Sequence, residues 1–124
     1  MRSLGYLTVA VVGDHVLVGE ATSFGFNGTF SVAAVTAEPM SCTGRFRYRG
    51  RSSRGKATYS CDNALSGTLQ IEMRDGARGT ARGDTAMGPM VALYGYDVDQ
   101  VNARLTFPGG QRLAWAGEAY RLIP

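Results

Sequence analysis

Residues 42–61 read CTGRFRYRGRSSRGKATYSC, and the way this stretch pairs with itself decides the fold. Successive side chains of a strand point to opposite faces. If 42–49 runs antiparallel to 54–61, with Gly50-Arg51-Ser52-Ser53 as the loop, opposed residue numbers sum to 103. One face then carries Cys42 against Cys61, Gly44 against Tyr59, Phe46 against Ala57 and Tyr48 against Gly55. In the last three pairs a large side chain faces a small one. The other face carries Thr43 against Ser60, Arg45 against Thr58, Arg47 against Lys56 and Arg49 against Arg54. A slip of one residue would turn the guanidinium groups into the core, so burial specifies the register.

The same register sets the two cysteines across from each other at the Cβ separation a disulfide needs, and predicts a Cys42–Cys61 bond. Such bonds persist mainly in oxidising compartments, which favours an extracytoplasmic address, periplasm or cell envelope, over a cytosol where both thiols would stay reduced.

Arg45, Arg47, Arg49, Arg54 and Lys56 share the outward face; with Arg51 they are six of the thirteen basic residues, in a chain whose formal net charge is only +3. Like charges directly across a ladder repel, so negative charge is expected nearby. A neighbouring strand or loop can supply it through Glu72 or Glu38, or an anionic partner can: an acidic protein face, a polysaccharide, a lipid head group or nucleic acid, held by bidentate guanidinium contacts. Nucleic acid is the least favoured. Single-strand readers interleave exposed aromatic platforms with their basic residues, whereas this register turns Phe46, Tyr48 and Tyr59 inward.

Outward from the hairpin, a unit of Gly followed by an alternating run recurs: NGTFSV (27–32), TGRFRY (43–48), RGKATY (54–59), SGTLQI (66–71), RGTARG (78–83) and MGPMVA (87–92). Gly28, Gly44, Gly55, Gly67, Gly79 and Gly88 are separated by 16, 11, 12, 12 and 9 residues, the strand-plus-turn spacing of an all-β meander. In 66–74, Gly67, Leu69, Ile71 and Met73 face one way. In 78–84 the inward set is Gly79, Ala81 and Gly83, small enough that a bulky neighbour must lie over them.

YLTVAVVGDHVLVGEA at the start reads as strands over about 6–12 and 15–22, joined by a Gly13-Asp14 turn of type II′. Their near-continuous apolar character demands cover on both faces, inside the domain or by self-association into a homo-oligomer. Asp97 as N-cap with Gln100 at N3, and Tyr96 and Val101 as a hydrophobic staple, predict a helix over about 98–105, stopped by Pro108-Gly109-Gly110. The segment 113–123 reads as a last strand, with a helical alternative left open by its alanines. The expected architecture is one mainly β domain over 1–124, an antiparallel barrel or sandwich of about eight to nine strands with one short helix.

Sites for chemistry are sparse. No run of about eighteen apolar residues offers a transmembrane helix. MRSLGYLTVAVV begins like a secretion signal, but Gly13-Asp14-His15 interrupts it, and it reads as a strand. His15 is the one histidine and reads as a surface residue beside a turn; a concave pocket gathering it with two carboxylates would instead point to an enzyme. The histidine and cysteine spacing makes no zinc site, the acids no EF-hand, and the glycines no phosphate loop, so neither cofactor nor metal is expected. Asp97 and Asp99 are accounted for by the helix cap and dipole. Trp115 and Tyr120 read as core or interface anchors.

The run C-T-G-R-F at 42–46, with G-K-A-T-Y-S-C-D-N at 55–63, S-G-T-L at 66–69 and G-A-R-G-T-A at 76–81, resembles small glycine-rich β-proteins of bacterial envelopes, often lipoprotein-like. The resemblance spans about 40–94 and implies the disulfide and the envelope location. Those proteins often carry Asp-Gly after the second cysteine where this chain has Asp62-Asn63. The functional expectation is a non-enzymatic binding or structural module that offers its basic hairpin face to an anionic protein or polymer; the alternative is a cytosolic nucleic-acid-binding β-barrel.

Overall fold

In a computed structural model, which describes residues 5–24, 26–49, 54–75 and 78–124, eight strands close into an antiparallel barrel. They are β1 (Gly5–Val12), β2 (His15–Phe24), β3 (Asn27–Ala34), β4 (Ser41–Tyr48), β5 (Arg54–Cys61), β6 (Ser66–Asp75), β7 (Arg78–Thr85) and β8 (Gly88–Tyr94). Each strand pairs with its successor, and β8 pairs with β1, so the barrel has no open edge. Helix α1 (Val98–Arg104) follows, then a hairpin of β9 (Arg112–Trp115) and β10 (Tyr120–Ile123). The segment 113–123 is therefore two short strands around a turn, with Gly117 at a φ of +90°.

The hairpin register is the expected one. Cys42 lies opposite Cys61, Gly44 opposite Tyr59, Phe46 opposite Ala57, Arg47 opposite Lys56 and Tyr48 opposite Gly55. The loop at 50–53, with Arg51, lies outside the described residues. Cys42 and Cys61 are bonded, with Cα atoms 4.0 Å apart. The Asp62 amide donates to the Ser41 carbonyl, which makes the cysteines a non-hydrogen-bonded pair, the closer kind in an antiparallel ladder. Met40 and Leu65, buried just outside the paired cysteines, help to close that end of the barrel. At the Gly13-Asp14 turn, Gly13 has a φ of +56° while Asp14 does not enter the left-handed region, as a type II′ turn requires.

Inside, aromatic rings lie over glycines. Gly44 sits between Phe30 on β3 and Tyr59 on β5, and a Cβ there would collide with the Phe30 ring and the Thr58 carbonyl. The bulky neighbour required over β7 is Tyr94, whose ring covers Gly79, with Leu69 beside Gly83. Across the middle of one wall, Ala10, Ala92 and Ala81 form a row of small residues on β1, β8 and β7. Phe46 stacks on Tyr94 at 6.1 Å between ring centroids, and the hydroxyls of Tyr48 and Tyr94 are hydrogen-bonded. Since β4 and β8 are opposite walls of an eight-stranded barrel, this hydroxyl pair spans the interior.

A second core lies outside the barrel. Val9, Val16 and Leu93 point outward from β1, β2 and β8 and are buried against Tyr96, Val101, Phe107 and Leu113. The two-sided cover demanded by the apolar N-terminal hairpin is thus supplied within the chain by the C-terminal unit. Asp97 and Gln100 form the predicted capping box, and both staple residues, Tyr96 and Val101, are buried in this core. Asn102 fastens α1 to β9: its amide nitrogen donates to the Leu113 carbonyl and its oxygen accepts from the Leu113 amide, both at 2.8 Å.

Candidate functional site

With β1, β2 and β8 covered, the wall that meets solvent is β3 to β7. Its outward residues form rows across the strands. One row runs Asn27, Arg47, Lys56, Gln70, Arg82 from β3 to β7, and the next runs Thr29, Arg45, Thr58, Thr68. Arg45, Arg47, Arg49, Arg54 and Lys56 are all exposed on this side, with Arg49 just past the end of β4, its amide donating to the Arg54 carbonyl. This apolar-in, polar-out pattern is the reverse of a membrane-spanning barrel, whose outer band is apolar. No helix among the described residues is long and apolar enough to cross a membrane.

The two acids expected near the cations have separate fates. Glu72 lies directly across from Arg54, and Arg54 makes contacts within the protein. Glu38 lies at the opposite end of the barrel, its Oε2 3.6 Å from His15 Nε2. Among the described residues no carboxylate pairs with Arg45, Arg47 or Lys56; the Arg47 Nε–H donates instead to Asn27 Oδ1 at 3.1 Å. Between these side chains the wall has a depression of about 440 Å³ lined by Asn27, Gly28, Thr29, Arg45, Phe46, Arg47, Lys56 and Thr58. It presents three cations and three neutral hydrogen-bonding groups, and no acid. Phe46, Tyr48 and Tyr59 are buried on the inward face as expected, and Phe46 also contributes to the lining of this depression.

Of the other concavities, one on the β5–β7 part of the wall holds Glu72 among Arg54, Arg74 and Arg82, and two lie elsewhere. The barrel interior is lined by apolar atoms and leaves a void of about 50 Å³, well below the roughly 300–1,000 Å³ of small-molecule sites. It is a packed core, and burial holds the Tyr48, Tyr59 and Tyr94 phenols above their ordinary pKa, so they remain protonated. At the disulfide end, a depression does gather His15 with the carboxylates of Asp14 and Glu38, beside Thr36 and Met87. His15 is not the surface residue its position beside a turn implied: it is 7% exposed, because the 35–40 segment folds over it through the Val35 amide donating to the Val16 carbonyl. Its Nδ1 and the Thr36 hydroxyl are sealed from solvent without hydrogen-bond partners, and no hydroxyl is hydrogen-bonded to the imidazole among the described residues. The gathering of His15 with two carboxylates is the arrangement expected of the enzyme alternative, with Nε2 toward Glu38 and Nδ1 enclosed. The described residues include no cluster of three or more metal-ligating side chains.

No protein-family model matches the chain, and no curated protein or solved structure matches it at a significant level. The functional reading therefore rests on this wall alone. Sequence reasoning missed Phe26, which stands 54% exposed in the turn between β2 and β3, next to Asn27. Trp115, expected as a core or interface anchor, is not in the core: it is 57% exposed and packs edge-on against Tyr120 across the β9–β10 hairpin.

Proposed function

We propose that the protein is a non-enzymatic binding module that holds an anionic partner on the outer wall of β3 to β5, in an extracytoplasmic compartment. The observation that carries the reading is the depression bounded by Arg45, Arg47 and Lys56, with Asn27, Thr29 and Thr58 as further hydrogen-bonding groups and no carboxylate in its lining. Guanidinium groups two residues apart on β4 offer bidentate contacts to carboxylate, sulfate or phosphate, and Lys56 adds a point charge across from Arg47. Placing Arg47 directly across from Lys56 costs stability in the isolated protein. An anion between the two removes that repulsion, which is a reason for such a pair to exist on a binding surface. The Cys42–Cys61 bond anchors the hairpin that carries the cations and is the support for the oxidising compartment.

Retention on a soluble polyanion such as heparin tests this. The Arg47→Ala/Lys56→Ala variant is expected to elute at markedly lower salt while its thermal midpoint stays level or rises. Unchanged elution would end the proposal.

A further inference from the structure

Phe26 and the cationic depression are adjoining parts of one surface. Phe26 immediately precedes Asn27, the residue that lines the depression and accepts the Arg47 Nε–H, and the Phe26 carbonyl accepts the Tyr48 amide at 2.8 Å. Those bonds fix the β2–β3 turn to the end of β4, so the exposed phenyl ring stands at the same end of the barrel as Arg47 and Arg49. An exposed phenylalanine alone is unremarkable on a soluble protein. Beside a group of cations unpaired by carboxylate it makes an amphiphilic rim, with an apolar tip next to an anion-binding wall.

We infer that this rim docks on the surface of an anionic phospholipid bilayer, with head-group phosphates on Arg45, Arg47 and Lys56 and the Phe26 ring in the boundary between head groups and acyl chains. The inference rests on the anion-binding reading and names its partner. A bilayer suits both halves of the rim: anionic lipid attracts the basic wall, and one inserted ring adds the apolar contact that charge alone lacks. A soluble polyanion uses only the arginines and leaves the ring in water. The described acid nearest the cations on this wall, Glu72, faces Arg54 and leaves the depression cationic. Asp97 and Asp99 belong to α1, on the covered wall.

Co-sedimentation with vesicles of phosphatidylglycerol mixed with phosphatidylcholine, against vesicles of phosphatidylcholine alone, tests the inference in parallel with heparin retention. The protein is expected to bind the mixed vesicles and not the neutral ones. Arg47→Ala should weaken vesicle binding about fivefold and also lower heparin retention. Phe26→Ser, an exposed change whose fold is checked by circular dichroism, should weaken vesicle binding about tenfold and leave heparin retention unchanged. Heparin retention without vesicle binding overturns the bilayer and keeps the anion site; loss of both overturns both. Equal binding to neutral vesicles, or vesicle binding indifferent to Phe26→Ser, also overturns the inference. So does displacement from vesicles by a single-stranded oligonucleotide whose own binding depends on Phe26, which would make the ring a base platform.

Discussion

Gly79→Ala tests the packing rule of the barrel interior. The three atoms nearest a Cβ on Gly79 all belong to the Tyr94 side chain: its hydroxyl, Cζ and Cε1. Overpacking of this kind costs about 1–3 kcal/mol, and three ring atoms in the path place the cost near about 2 kcal/mol. For 124 residues the unfolding entropy is about 0.26 kcal/mol/K, so the thermal midpoint should fall by about 8 °C. Leucine at position 94 has no atoms corresponding to Cε1, Cζ or the hydroxyl. In a Tyr94→Leu background, itself destabilised by loss of the ring and of the bond to Tyr48, Gly79→Ala should therefore add less than about 0.5 kcal/mol. Denaturant titration of the four proteins with the disulfide intact closes the cycle, and the expected coupling is about 1.5 kcal/mol. Additive losses, or a neutral Gly79→Ala in the parent, would refute the claim that the glycine is there to admit the ring.

Replacing Cys42 and Cys61 by serine removes a link across 19 residues and should lower stability by about 3 kcal/mol in denaturant titration, with secondary structure retained by circular dichroism. Asn102→Ala strips both hydrogen bonds from the Leu113 backbone; a loss of about 1–3 kcal/mol and faster hydrogen exchange at the Leu113 amide are expected, with the barrel amides unaffected. Tyr48 and Tyr94 are held above the ordinary value of 10.0, first by burial, so the folded state keeps protons that the unfolded state releases. That stability is complete below pH 10 and is lost as pH rises toward the folded-state values. Thermal midpoints measured against pH should be level near neutrality and fall above about pH 10, with a shallower fall in Tyr48→Phe/Tyr94→Phe.

The hairpin was legible in the sequence because Phe46 with Ala57 and Tyr48 with Gly55 match only in one register, and a slip would bury arginine. The capping box at 97–100 was legible for a similar local reason. Closure was not, since a barrel and a sandwich place the same alternating strands in contact and differ in whether β1 meets β8, which no local pattern encodes. The 113–123 segment was ambiguous because Ala114, Ala116 and Ala119 carry little strand preference, and a turn at Gly117 divides it. His15 was misplaced because its burial depends on the 35–40 segment, twenty residues downstream, folding back over the first turn. Phe26 was hidden in the run Ser23-Phe24-Gly25-Phe26-Asn27, where an aromatic between two strands reads as part of either.

The C-terminal unit decides which wall of the barrel is left to solvent. Closure leaves every barrel strand with an outward face, and on β1, β2 and β8 that face carries Val9, Val16 and Leu93. Left bare, these would draw in another chain. Instead α1 and the β9–β10 hairpin bury them, and Arg104 lies over the Tyr96 ring with its guanidinium carbon 4.7 Å from the ring centroid. On the uncovered strands the outward positions hold threonine, serine, asparagine, glutamine and the basic rows, with Glu72 and Asp84 as acids on β6 and β7. Hydrophobic burial has thus sorted the outer surface into a self-covered half and a solvated half before any ligand enters. The cations fall on the solvated half because burying them unpaired against α1 would cost several kcal/mol each. The cationic wall is in this sense the complement of the apolar one.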